Sequence, residues 1–139
     1  QGKLNRILLQ ISLGLSPLRG QLFKYAIIDN PFCPSCLTTV ESAKHFFLEC
    51  MKYETDRVLL IAGIDECYLN FIATYDNLRL GLPAVLSSEA RYSLILNGLD
   101  VNIFENCKVS FQPESYHNSN RILHALVLNF MFKTQRYVD

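Results

Sequence analysis

The chain has 139 residues, half of them apolar, and its 13 Lys plus Arg balance 13 Asp plus Glu. That length suits one domain with a real core and excludes a disordered tail; the zero net charge excludes a binder that grips polyanions by overall basicity. Charge is nevertheless uneven: the first 28 residues hold Lys3, Arg6, Arg19 and Lys24 and no acid, whereas residues 61–139 hold six basic and eight acidic residues.

In chain order, Leu4, Leu8 and Ile11 recur at helical spacing and predict a short helix over residues 3–13. Ser16-Pro17 reads as an N-cap with proline at the first helical position, followed by Leu18, Leu22, Tyr25 and Ala26 on one face. Asp29-Asn30-Pro31 should stop that helix, because the residue before proline avoids the α region. A cysteine cluster comes next. Beyond it Met51, Val58, Ile61 and Ala62 share a face, Lys52 and Asp56 form an i, i+4 pair, and Gly63 is expected to end the element. Residues 65–75 read as helix, the stretch through Gly81-Leu82-Pro83 as loop, and Ser88 as the cap of a helix from Glu89 to Leu96 closed by Asn97-Gly98. Residues 101–112 alternate poorly and fit a strand or irregular chain. The last helix, about Asn120 to Gln135, is apolar on nearly all sides, as a central core helix would be. No internal repeat, low-complexity run or linker is evident. The expectation is a single all-α domain over 1–139, with residues 1–64 forming a leucine-rich helix plus a metal module and 65–139 a helical C-terminal part. A small β-hairpin is an option at the metal site.

Cys33-Pro34-Ser35-Cys36 presents two thiolates from a tight turn, His45 follows after eight intervening residues, and Cys50 after four more. This C-x2-C-x8-H-x4-C pattern suits one tetrahedral zinc, and four protein ligands leave no open position for water, so the site is expected to be structural. The alternative is a lone C-x2-C beside an ordinary buried His45 and Cys50. His45 and Cys50 are five positions apart, which on a straight α-helix places them about 140° apart. Both reach one ion only if the helix breaks, so one short helix should end near Leu48 and another begin near Met51, with Cys50 at the joint. Cys67 and Cys107 are expected to pack as small hydrophobes. His117 reads as a loop histidine and His124 as a satisfied core histidine. The run of tyrosines and phenylalanines at helical spacing reads as core rather than as stacking platforms.

Three cysteines clustered in 18 residues, with no signal-peptide layout, favour metal binding over disulfides and an intracellular, non-secreted protein, nuclear or cytoplasmic. No run approaches the roughly 20 apolar residues of a membrane span. The chain begins at Gln1 and reads as a piece of a longer polypeptide. No paired carboxylates, nucleophile arrangement or small-molecule site stands out, so no enzyme is expected in this stretch.

Leu13-Gly14-Leu15-Ser16, Leu22-Phe23, Cys33-x2-Cys36, Glu41, His45-Phe46-Phe47-Leu48-Glu49-Cys50 and Tyr53-x3-Arg57 together resemble the CCHC zinc-binding region near the C-terminus of LINE-type retrotransposon reverse transcriptases. Leu94-Ile95-Leu96-Asn97-Gly98 and the closing Lys133-Thr134-Gln135-Arg136-Tyr137 are similar to the last residues of such proteins. Residues 65–90 carry no resemblance. The family usually has proline directly after the last cysteine; here Met51 stands there, so the second helix is expected to begin less sharply. The resemblance implies a non-catalytic module that helps an upstream reverse-transcriptase domain, in cis, to hold template RNA or target DNA. Arg19, Lys24, Lys44 and Lys52, on or beside the metal-ordered elements, are the candidate phosphate contacts, with a merely solvated face as the other reading. The rival function is a zinc-stapled structural module that packs on the polymerase or another protein and never touches nucleic acid.

Overall fold

The structure, a computed structural model, describes residues 2–136; Tyr137, the last residue of the C-terminal motif, lies outside them. Seven α-helices, one π turn and one 3-10 turn are present among the described residues, and no strand: α1 (Gly2–Ser12), α2 (Arg19–Lys24), the π turn (His45–Glu49), the 3-10 turn (Met51–Tyr53), α3 (Glu54–Ala73), α4 (Asp76–Gly81), α5 (Ser88–Asn97), α6 (Asn102–Asn106) and α7 (Pro113–Thr134). The all-α class expected from the sequence is therefore observed, and the optional hairpin is reduced to one antiparallel bridge between Phe32 and Val40. No described helix is long and apolar enough to cross a membrane. The chain divides into two compact units, Gln1–Val58 with Leu128–Asp139, and Leu59–Val127, so the boundaries fall inside α3 and α7.

In the first unit, α1 buries Leu4, Ile7, Leu8 and Ile11, the stripe its spacing dictates. It ends at Ser12, and the chain reverses at Gly14, whose φ is +74°, with the Leu15 N–H donating to the Gln10 carbonyl. α2 departs from expectation. Ser16 is buried and its hydroxyl accepts from the Leu18 N–H, but the helix starts later, at Arg19, and ends at Lys24. Ala26 takes a left-handed φ of 58° and the Ile27 N–H closes onto the Leu22 carbonyl. The chain thus turns well before Pro31, and Tyr25 and Ala26 are exposed rather than on a buried face. The unit's core is aromatic: Phe46 packs edge-on against Phe47 and Tyr53, and Phe130 from α7 completes the cluster at 5.4 Å from Phe46.

The second unit corrects several expectations. Gly63 does not end a helix; α3 runs through it to Ala73. A Cβ at Gly63 would meet the Leu126 methyls at 2.7 and 2.9 Å, so glycine here admits a large side chain from α7. The segments read as loop and as strand or irregular chain contain α4 and α6. α7 begins at Pro113, seven residues earlier than the apolar run suggests, because a polar first half packs through Tyr116 and Asn120. It is also less apolar around its girth than expected: His117 and His124 both sit on α7 and are exposed, so neither is a loop nor a core histidine. Phe104 is the hub of a second aromatic cluster with Phe71, Tyr75, Phe111 and Tyr116. Cys67 is buried and Cys107 partly so, as small hydrophobes would be.

Ser87 rather than Ser88 caps α5, its hydroxyl accepting from the Ala90 N–H, and Gly98 closes it. Gly98 has φ 71° and ψ −163°, a conformation essentially restricted to glycine. Its place is fixed by Asn120, whose Oδ1 accepts from the Leu99 N–H at 2.7 Å and would lie 2.7 Å from an added Cβ. Gly98→Ala should therefore destabilise the protein by about 1–3 kcal/mol, whereas Gly2→Ala, with open space around it, should leave the thermal midpoint unchanged; a melting comparison of the two variants checks this.

Candidate metal centre

Cys33, Cys36, His45 and Cys50 converge: one ligand atom from each lies within 4.8 Å of all the others, with three of the residues buried. The Cys50 sulfur stands 3.8 Å from that of Cys33 and 3.7 Å from that of Cys36. These separations are far longer than the roughly 2.05 Å of a disulfide, and all five cysteines are unbridged.

Two pieces of local structure bring the ligands together. The first is the loop through Cys33 and Cys36. Asn30 Oδ1 accepts from the Phe32 N–H and turns the chain around Pro31; the Cys33 N–H then donates to the Thr39 carbonyl at 2.7 Å, and the Leu37 N–H to the Cys33 carbonyl at 2.8 Å. Leu37 takes a left-handed φ of 67°, which returns the chain toward the Phe32–Val40 bridge. The second is the π turn. The Cys50 N–H donates to the His45 carbonyl at 2.8 Å, an i→i+5 bond that brings residue 50 back over residue 45. The 140° splay expected on an α-helix is removed by winding more loosely, and the helical path then breaks at Cys50, which is extended at φ −66° and ψ 123°. With Met51 in place of proline, the path resumes through a single 3-10 turn before α3 begins at Glu54.

The electrostatics suit a cation. Both ring nitrogens of His45 are buried without a hydrogen-bond partner, a costly state for imidazole unless an ion accepts a lone pair. Glu49 Oε1 stands 3.8 Å from Nδ1, beyond hydrogen-bond reach. Burial opposes ionisation of Cys33, but backbone hydrogen bonds from Cys36 and Ser35 and the neighbouring thiols outweigh it and lower its pKa. Burial pushes Cys50 the other way, up to about 11. Cys33 thus ionises more readily than an ordinary thiol and Cys50 less readily, and a bound metal would displace the proton from each. The four residues can hold one metal ion.

The supporting shell is not legible in the spacing. Glu41, 2 % exposed, accepts from the Arg19 N–H at 2.8 Å and from both arms of the Arg136 guanidinium at 2.7 and 2.8 Å. Its N–H donates to the Pro31 carbonyl, and its carbonyl accepts from Gly20 N–H, where a Cβ would approach to 2.9 Å. One buried carboxylate thus ties α2, the metal loop and the end of α7. Ser42 Oγ accepts from the His45 N–H and starts the turn that carries the imidazole. Arg57 donates to the Phe47 and Cys50 carbonyls at 2.9 and 2.7 Å and to that of Phe46 at 3.4 Å. Burial works against its charge, which Cys50, Glu54 and Glu49 support.

The four basic candidates are placed less favourably than the ligands. Arg19 donates through Nε to the Asn30 carbonyl, so part of its fork serves the fold. Lys52 lies 5.7 Å from the Tyr53 ring centroid. Lys24 and Lys52 are exposed and Lys44 is half-buried. The chain matches no protein-family model, no curated protein and no solved structure.

Cys36→Ser and His45→Ala should abolish stoichiometric metal binding and melt the first unit, while Cys67→Ser and Cys107→Ser retain one ion per chain; metal quantitation by mass spectrometry distinguishes the two sets. Arg136→Ala should cost about 3 kcal/mol by leaving the Glu41 carboxylate buried without its main counter-charge, a loss read as a lowered denaturant midpoint.

Proposed function

We propose that the chain is a non-catalytic zinc module of the kind found near the C-terminus of LINE-type reverse transcriptases, and that its zinc holds together a surface used for gripping nucleic acid beside the polymerase. The observation that carries the zinc reading is the sulfur geometry. A tetrahedron with metal–sulfur bonds of about 2.3 Å has sulfur–sulfur edges of about 3.8 Å, which agrees with 3.7 and 3.8 Å around Cys50. Three thiolates and an imidazole are a soft, nitrogen-bearing set that favours zinc over calcium or magnesium and needs no redox chemistry. They fill all four positions, so a bound zinc has no site for water or substrate and its contribution is folding energy, on the order of 10 kcal/mol in small modules.

The nucleic-acid role rests on the resemblance and on a base-rich, acid-free stretch, Lys3 to Lys24, preceding the metal loop. With so few cations the binding is weak and local. A second reading, packing on a protein partner, is favoured by a different observation: between residues 13 and 40 the side chains of Leu13, Leu15, Phe23, Ile27 and Leu37 are exposed, more apolar surface than a purely phosphate-binding face requires. Fluorescence anisotropy with single-stranded RNA and duplex DNA at two salt concentrations separates the readings. Nucleic-acid binding predicts micromolar or weaker affinity with a clear salt dependence. Replacing Lys24, Lys44 and Lys52 together by alanine should then reduce the salt slope by about one unit for each of these lysines that pairs with a phosphate, with metal content unchanged. Arg19 is kept because its guanidinium serves Asn30. A flat signal with both ligands at low salt would overturn this role and leave the protein-packing one.

A further inference from the structure

We propose that Arg57 is a positioning residue for the metal centre, holding the His45–Cys50 segment in the π winding that lets both ligands face one ion; this rests on the metal-centre reading above. The segment has a choice of hydrogen bonds. In an α-helix the Cys50 N–H would donate to the Phe46 carbonyl, four residues back, and His45 and Cys50 would point about 140° apart. In the π turn the same N–H donates to the His45 carbonyl instead. Phe46 and Phe47 then lose their α-helical donors, because the chain breaks into an extended conformation at Cys50. Orphaned carbonyls in a buried aromatic core are costly. Arg57 supplies the missing donors: Nε to Phe47, Nη2 to Cys50 at 2.7 Å and, at a longer 3.4 Å, to Phe46. A planar fork reaches these differently directed acceptors together, which a lysine ammonium does poorly.

The charge of the guanidinium serves the same end. A divalent ion with three thiolates and a neutral imidazole carries one excess negative charge in a largely buried setting. A cation on the Cys50 carbonyl offsets it where solvent screens little. Arg57 lies on the first turns of α3, seven residues beyond Cys50, so the helix that follows the centre also braces it.

The test uses the full chain loaded with cobalt(II), whose thiolate-to-metal absorption reports how many sulfurs are bound. Arg57→Met and the milder Arg57→Lys should each lower cobalt affinity about 10- to 100-fold in chelator competition, and their saturated spectra should lose intensity as Cys50 leaves the ion. Arg136→Ala, which removes the partner of the Glu41 carboxylate but leaves the donor to the Phe46, Phe47 and Cys50 carbonyls in place, should saturate with the wild-type spectrum. If the Arg57 variants also saturate with that spectrum, and lose affinity only in step with their thermal stability, Arg57 is an ordinary fold contact and the inference falls. If the wild-type chain itself takes up no cobalt or zinc, the metal reading fails first. Should Arg57→Met not fold, Arg57→Lys alone decides, because retained charge without the fork still predicts the weaker spectrum.

Discussion

Three sulfurs and one imidazole must meet within 4.8 Å in a part of the chain that has little other reason to be ordered. Between the end of α2 and Ala43, where the helical path into the π turn begins, lie eighteen residues without helix, joined by one isolated bridge and a few turn hydrogen bonds. Such a stretch loses about 1–2 kcal/mol of backbone entropy per residue on folding, and few of its side chains are buried to offset that. Leu37, Val40 and Phe32 face outward. The ligand cluster is therefore the natural source of order there, with Glu41 passing that order on to α2 and the end of α7. In the second unit the same task falls to the aromatic cluster around Phe104 and to ordinary helix packing along α3 and α7.

Which four residues converge is legible in the sequence because a candidate ligand set depends on residue type and spacing, and both are written locally. The break at Cys50 is legible for the same reason, since a five-residue interval cannot be reconciled with a 3.6-residue period. The way the chain solves the problem is not. A π turn differs from an α turn by one hydrogen-bond register, and what tips the balance here is a guanidinium seven residues on, which periodicity does not reveal. Glu41 and Arg57 stand within the motif that suggests a family, yet the motif alone does not show that one meets Arg136 and the other three carbonyls.

The elements that depart from their local signals share a cause as well. Gly63 has the poor helix propensity of a terminator, but a close approach by Leu126 makes its missing side chain an asset inside α3. Ser16-Pro17 carries an N-terminal signature, yet the buried Ser16 hydroxyl serves Leu18 and the helix starts downstream. α4 and α6 have six and five residues, too short for a periodic signal; each is anchored by one buried side chain, Leu78 and Phe104, the latter against the distant Phe71 and Tyr75. At Gly63 and Phe104 a tertiary contact overrides a local preference that is genuine as a preference; at Ser16 a second local hydrogen bond does.

The pairing of Glu41 with Arg136 spans 95 residues, and that interval has a meaning on the ribosome. At about 5–20 residues per second, synthesis of the intervening chain takes roughly 5–20 s. All four metal ligands emerge long before the arginine that neutralises the carboxylate beside them. The four candidate ligands can therefore meet early in a nascent chain, but Glu41 must stay hydrated until the residues just beyond α7 arrive. The loop that carries the cysteines is thus assembled from two generations of chain: its four converging residues are made early, and the arginine that closes over Glu41 is made last.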